Sequence, residues 1–559
     1  MTSVQWNSEN PPELRPAKLT VHEGKIQSIK WLDFNSSKAN GLLIIPGGMN
    51  AHNHLESHAV LSSARAKIAY GETACATDFH EAGNVGGVSA IKRLIEYYRH
   101  DPFTYAHGVP SSVPSDPRWE LVGTDPFGPK HIHELFDFGC THLAEVMNYP
   151  GAIGGFKPVL DILEVAISRG FKIDGHAVQL NEEQARAYFG RGISSNHECT
   201  SLEEAKIQAN LGVKIWMRNG SAATDKEQLW PLLETHPQSI GFCTDDLHPD
   251  ALLEGKGIFD QLHDVVINKR VPLINALQAW INPRIHYGVG GLLEIGSAAD
   301  YVTFNVDSVT SPTRLSIEGV FHQGEKIAEQ GLAFYESKEV GIDLAECSST
   351  WRRTAPVTAE QLRLRPQGEL MTVICAKQGS LIKTAKRVKP KIVDGYVVAD
   401  IENDVAKAVG LNRYVPDAEP AVMFLSGFGI TKPMAMVTSV AHDRHSLIGI
   451  GTNDQMLAEA LSMVCAAKGG LCLISENHKI LLPLPVYGLM SDKDITWVAE
   501  QYKKLERIVS LELSNGSMTT PFMTASFMGL IVIPEYGIGD DGMYRMGPHG
   551  PERMPSIFS

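Results

Sequence analysis

Residues 19–29 read LTVHEGKIQSI, apolar and polar side chains alternating on either side of Glu23 and Gly24. Alternation with period two marks a half-buried strand, and a Glu-Gly step between two such runs predicts a hairpin. Similar short strands return at 299–306 (ADYVTFNV) and 315–327 (LSIEGVFHQGEKI), so residues 1–45 and 296–345 are expected to share one small β domain. Between them the pattern changes. Eight apolar runs, LLIIPGGMNAHNH, TACATDFHE, AHGVPSSVP, THLAEVMN, KIDGHAV, ISSNHE, VKIWMRNG and SIGFCTDD, are separated by segments such as VSAIKRLIEYYRH, PVLDILEVAISRG, EEQARAYFGRG and LEEAKIQANLG. In these segments apolar residues recur at helical spacing, and several end in Gly, as helices do. Repeated strand-then-helix units require a parallel sheet, and eight of them predict an α/β fold closed as a (β/α)₈ barrel over residues 46–295. An open doubly wound sheet is the competing arrangement. Beyond a linker at 348–365, another mixture of strands and helices predicts a separate C-terminal α/β domain over 360–559, with the final GPHGPERMPSIFS read as a surface tail.

A chain of 559 residues is long enough for two or three domains. Its 43% hydrophobic and 20% charged residues are those of a globular protein. The net charge of −14, with Lys and Arg scattered singly, offers no basic footprint for nucleic acid or an anionic membrane, which points to a small-molecule partner. The N-terminal MTSVQWNSEN lacks the charged-then-apolar pattern of a secretory signal, and no apolar run of about 18 residues follows, so a cytoplasmic location is expected. The eight cysteines are dispersed without a CxxC pair and read as buried free thiols.

Chemistry enters where polar residues interrupt the strands, at their C-terminal ends. Strand one ends in His52-Asn53-His54, and alternate residues of a strand face one side, so both imidazoles can enter one barrel mouth. Strand four ends in Glu145, strand five in His176, strand six in His197 and strand eight in Asp245. A single buried histidine is ordinarily a hydrogen-bonded core residue. Four histidines and two acids at strand ends are hard to reconcile with packing, because buried charge without a partner is costly. A binuclear metal site accounts for all six. Asp246, next to Asp245, is expected to point away as a capping or supporting acid. In the C-terminal region His442, Asp443 and His445 form an HDxH cluster without further ligands at suitable spacing, and it reads as a polar turn against the barrel or a neighbouring subunit.

The order HxH, acid, His, His, Asp is similar to that of the metal-dependent amidohydrolase superfamily, and the segments around it resemble the adenine deaminase family. These are PGGMNAHNHLESH, TDFHEAGNVGGV, LAEVMNYPGAIGG, IDGHA, HECTSLEEA and TDDLHPDALLEG, followed by GFGITKPMAMVTSVAHDRHSLIGIGTND, LPLPVYGLM and PFMTASFMGL. The resemblance implies that His52, His54 and His176 or His197 bind two divalent ions, manganese first and iron or zinc as alternatives. Glu145 would bridge them where many relatives carry a carboxylated lysine. Two cations sharing a water would supply hydroxide near neutral pH to attack C6 of adenine, with Asp245 moving the proton to the leaving amine. For Asp78, His80 and Glu81 at strand two the resemblance suggests ring recognition or support of the histidines; Ser111 and Ser112 after strand three and Arg218 at strand seven face the same mouth.

Several positions depart from the family pattern. Asn50 stands where an Asp precedes HxH, Phe79 where a Pro stands, Asn219 after the strand-seven Arg in place of Glu, Leu247 in place of Arg, and a Gly-His-Ile-Asp motif is replaced around Lys256. None removes an expected ligand. Alternatives therefore stay open beside adenine: an N6-substituted or other aminopurine, a cyclic amide, or a non-catalytic protein of the same fold. Assembly into homo-oligomers is left open as well.

Overall fold

The computed structural model describes residues 2–7, 13–32, 42–334, 341–533, 535–547 and 550–559. Parts of the expected small β domain, 33–41 and 335–340, lie outside the described residues.

Strands Gly48–Asn53, Glu72–Thr77, Thr104–Val109, His142–Val146, Lys172–Gly175, Ser195–Asn196, Lys214–Arg218 and Ile240–Cys243 follow one another in chain order around a barrel, every strand pairing among them parallel. The Ser194 N–H donates to the Ile173 carbonyl at 2.9 Å, joining the fifth strand to the sixth. The ring closes where the Asp245 N–H reaches the His52 carbonyl at 3.0 Å. The open-sheet alternative is thereby excluded. Helices cover the outside, among them His80–Tyr98, Lys157–Ser168, Glu182–Phe189, Leu202–Asn210 and Leu273–Tyr287. Their starts are written in the sequence: the Asn181 side chain accepts from the Gln184 N–H while Gln184 reciprocates, and the Ser201 hydroxyl accepts from the Glu204 N–H.

The run LLIIPGGMNAHNH, read above as one strand, is two. Leu42–Pro46 pairs with Thr2–Asn7 and Tyr301–Val306 in a separate eight-stranded sheet, and the barrel begins at Gly48. The break falls at Gly47 and Gly48, positions that admit no side chain: a Cβ would stand 2.0 Å from Thr73 Oγ1 and 2.4 Å from Trp280 Cζ2. The expected hairpin spans Glu13–His22 and Lys25–Trp31, with positive φ at Glu23 and Gly24.

The C-terminal region forms a second eight-stranded sheet, antiparallel except where Met371–Lys377 meets Ala421–Ser426, with the helix Asp454–Ala467 on one face. Its end lies largely at the surface, as expected, but is docked: the Ser559 and Leu370 amides exchange hydrogen bonds of 2.9 and 3.1 Å, and Phe558 and Ile557 pack against buried Met371 and Val373. This region sits on the barrel mouth. Ala59, Val60, Leu247 and Leu252 of the barrel share one apolar cluster with Leu484, Val498 and Phe522. No helix among the described residues is long and apolar enough to cross a membrane.

Candidate metal centre at the barrel mouth

The first and last strands are stitched together beneath the mouth. The Asn50 amide donates to Thr244 Oγ1 (2.7 Å) and accepts from the Thr244 N–H (3.0 Å). Asn53 donates to Thr244 Oγ1 (3.1 Å) and the Asp245 carbonyl (2.9 Å), and buried Lys67 donates to Asn53 Oδ1 at 2.5 Å. Asp245 itself has φ of +55°, a left-handed conformation that a non-glycine residue adopts only when its surroundings impose it.

All six residues expected as ligands meet above this seam. His52 Nε2 and His54 Nε2 stand 3.1 Å apart. Asp245 Oδ1 lies 3.4 Å from the first and 3.1 Å from the second. Glu145 is central: His176 Nδ1 lies 2.5 Å from its Oε2, His197 Nε2 3.2 Å and His52 Nε2 3.8 Å, while His54 Nε2 is 3.3 Å from Oε1. Donors around a cation at about 2.1 Å stand roughly 3–3.5 Å from one another, so this donor set fits metal ions. His197 Nε2 stands 3.2 Å from Glu145 Oε2 without the alignment of a hydrogen bond, an approach that suits two donors sharing one cation.

The electrostatics of these side chains agree with a site built for positive charge. Burial pushes the Glu145 carboxyl up, but His176 and His197 outweigh it and hold it well below the usual range. Burial acts likewise on Asp245, where Arg218, His52 and His54 prevail and keep it ionised. His52 is lowered by burial and by His197, whose ring stacks on it at 3.9 Å. For His54 burial works downward, and the carboxylates of Asp245 and Glu145 lift it well above its ordinary value.

The ring-binding candidates divide. The His80 amide donates to Asp78 Oδ1 at 2.9 Å, and its side chain stands between Asp78 and Glu145, 3.6 Å from each. Ser111 and Ser112 direct their hydroxyls to the Glu145 carbonyl at 2.5 and 3.4 Å. Arg218 Nη1 holds Asp245 Oδ2 at 2.5 Å and pairs also with Glu198. Glu81 faces His442 of the C-terminal region, Oε1 to Nδ1 3.2 Å.

Four acids near the site were missed or misjudged. Glu198 Oε1 lies 3.6 Å from His197 Nε2; the sixth strand is only two residues long, so alternation has already lapsed there. Asp246 does not point away: it is buried and shares the wall of a small cavity with Glu56 and His442, because the left-handed turn at Asp245 ends the strand pattern. Burial and the charge of Asp245 push the Asp246 carboxyl up to about 7. Glu56 lies two residues past the HxH pair in LESH, a cue the spacing contained. Asp443 Oδ1 reaches within 3.6 Å of His80 Nε2, and nothing in the local sequence foretells that contact.

Comparison with known proteins places the chain in a family. The adenine deaminase C-terminal domain profile matches residues 380–548. An adenine deaminase of Salinibacter ruber is 36% identical over 536 residues, 95% of this chain and 94% of the relative. One from Methanosarcina acetivorans is 35% identical over 543 residues, 94% of each. Among solved structures, a D-hydantoinase from Thermus sp. superposes with a TM-score of 0.41 at 11% identity, covering 60% of this chain and 96% of that one. Identity at this level, sustained from the small β sheet through the barrel to the C-terminal region, means that the chain belongs to the adenine deaminase family.

Proposed function

We propose that this chain hydrolyses adenine to hypoxanthine and ammonia at the barrel mouth. The carrying observation is the convergence of His52, His54, His176, His197, Glu145 and Asp245 in a chain of this family. Two divalent ions, manganese first and iron or zinc as alternatives, would be held by the four imidazoles with Glu145 between them, and would make hydroxide available near neutral pH.

The protein's own groups then divide the work. A bond forms from the water oxygen to C6 and the C6–N6 bond breaks; the proton given up by the water passes to the Asp245 carboxylate and on to the departing amine. Arg218 fixes Asp245 Oδ2 and leaves Oδ1 on the histidine side, where the proton must be collected. Ser111 and Ser112 hold the Glu145 main chain, so their part is positioning. Arg218 Nε is buried without a hydrogen-bond partner and is available to meet the purine ring, whereas His80, set among Asp78, Glu145 and Asp443, serves to orient those carboxylates.

Charge favours a purine over an anionic cyclic amide. Glu81, Glu198 and Asp443 are buried at the mouth, and burial pushes the Glu56 and Asp246 carboxyls up to about 8 and 7; such carboxyl groups exchange hydrogen bonds with a neutral ring and disfavour a carboxylate-bearing one. The departures from the family pattern lie aside from the six residues: Asn50 bonds to Thr244, Phe79 stacks on Tyr98, Asn219 and Lys256 both bond to Asp260, and Leu247 joins the seam with the C-terminal region.

The test is ammonia release from adenine by metal-stripped protein reloaded with two equivalents of Mn²⁺, with hypoxanthine identified by chromatography. Loaded protein that turns over only dihydropyrimidine rings, or nothing in a purine panel, refutes the reading.

A further inference from the structure

One buried histidine of the seam has no part in this chemistry. His445 is fully buried, and neither ring nitrogen has a hydrogen-bond partner. An imidazole always carries polar nitrogens, and leaving them unmet in the interior is costly. Its ring lies beside that of His442, centroids 5.6 Å apart and planes at 67°. Across the seam Glu81 brings Oε1 to 3.2 Å from His442 Nδ1, while its Oε2 is buried without a partner. One donor atom from each of Glu81, His442 and His445 lies within 4.8 Å of the other two.

We propose that Glu81, His442 and His445 hold a third divalent transition-metal ion, separate from the pair at the six-residue site. Two imidazoles and a carboxylate suit Zn²⁺ and its first-row neighbours, with a fourth position left for solvent. The missing third ligand of the HDxH turn is thus supplied by the barrel. The turn is held firmly enough to present both rings: the His442 N–H donates to the Ser526 carbonyl (3.1 Å), its ring stacks on Phe527 at 4.3 Å, and the His445 N–H donates to the Ala441 carbonyl (2.7 Å). A cation here offsets the crowding of Glu56, Glu81, Asp246 and Asp443 and ties the C-terminal region to the second barrel strand's end.

Zn²⁺ loading of metal-stripped full-length protein, read by elemental analysis, is expected to reach three ions per chain. His445→Gln should hold two, and the double variant His52→Gln/His54→Gln should keep one. Saturation of the unaltered protein at two, or three ions retained by His445→Gln, overturns the proposal. Should His445→Gln fail to fold, Zn²⁺-loaded crystals of the unaltered protein decide: anomalous density about 2.0–2.2 Å from donors of Glu81, His442 and His445 is expected, and its absence overturns the proposal. Failure here leaves the deaminase reading intact, because that reading stands or falls on the other site.

Discussion

The barrel mouth and the C-terminal HDxH turn present the same kinds of side chain, yet they are assembled differently. At the mouth each of the six proposed ligands comes from the end of a strand or the residues just after it, and the ring of parallel strands aims them inward. In the turn, His442 and His445 stand with Asp443, and the Glu81 that His442 faces most closely comes from the barrel. A cluster on repeated elements is fixed by the repeat; one between the barrel and the C-terminal sheet is fixed by docking.

Variants can break or sharpen that contrast. The largest effect is expected from Asp245→Asn, which should spare most of the bound metal and reduce ammonia release by about 10³-fold or more; a wild-type rate removes Asp245 from the proton path. Glu145→Gln should lower metal content and activity together, by at least ~10²-fold in turnover. Full activity would end its bridging assignment. Arg218→Met, which frees Asp245 and Glu198 from their shared partner, is expected to cost roughly 10–100-fold and to shift the acid limb of the pH–rate profile upward. An unmoved limb would show that Arg218 does not hold Asp245 ionised.

The smallest effect lies at the seam. Burial holds His248 at about 3, next to the Tyr502 hydroxyl at 3.2 Å. Its folded value is below the unfolded one of about 6.5, so it stays neutral in the fold while the unfolded chain takes up a proton. Stability is therefore lost as pH falls from about 6.5 toward 3. His248→Phe should lose stability less steeply over that window in urea titrations; equal slopes would reject the assignment.

Much of this was legible in the sequence because β/α repetition announces a barrel and barrel strands announce where chemistry goes. His52, His54, Glu145, His176, His197 and Asp245 could be picked by position alone. The readings that failed share a cause, a period extended past its end. LLIIPGGMNAHNH crosses two sheets, and the change falls at Gly47 and Gly48, where close contacts with Thr73 and Trp280 forbid side chains. Asp246 lines the small cavity under the C-terminal region, beyond the point where Asp245 leaves the extended conformation. Glu81 and His442 are companions only through the packing of Leu247 and Leu252 on a sheet whose residues come far later in the chain.

That packing also sets an order of events during synthesis. Residues 46–295 emerge from the ribosome before any of the C-terminal sheet, so a newly made barrel carries Ala59, Val60, Leu247 and Leu252 bare beside its acid-lined opening. A chain cut short after the barrel would keep that greasy patch permanently in water and should self-associate instead of persisting as a monomeric half-enzyme.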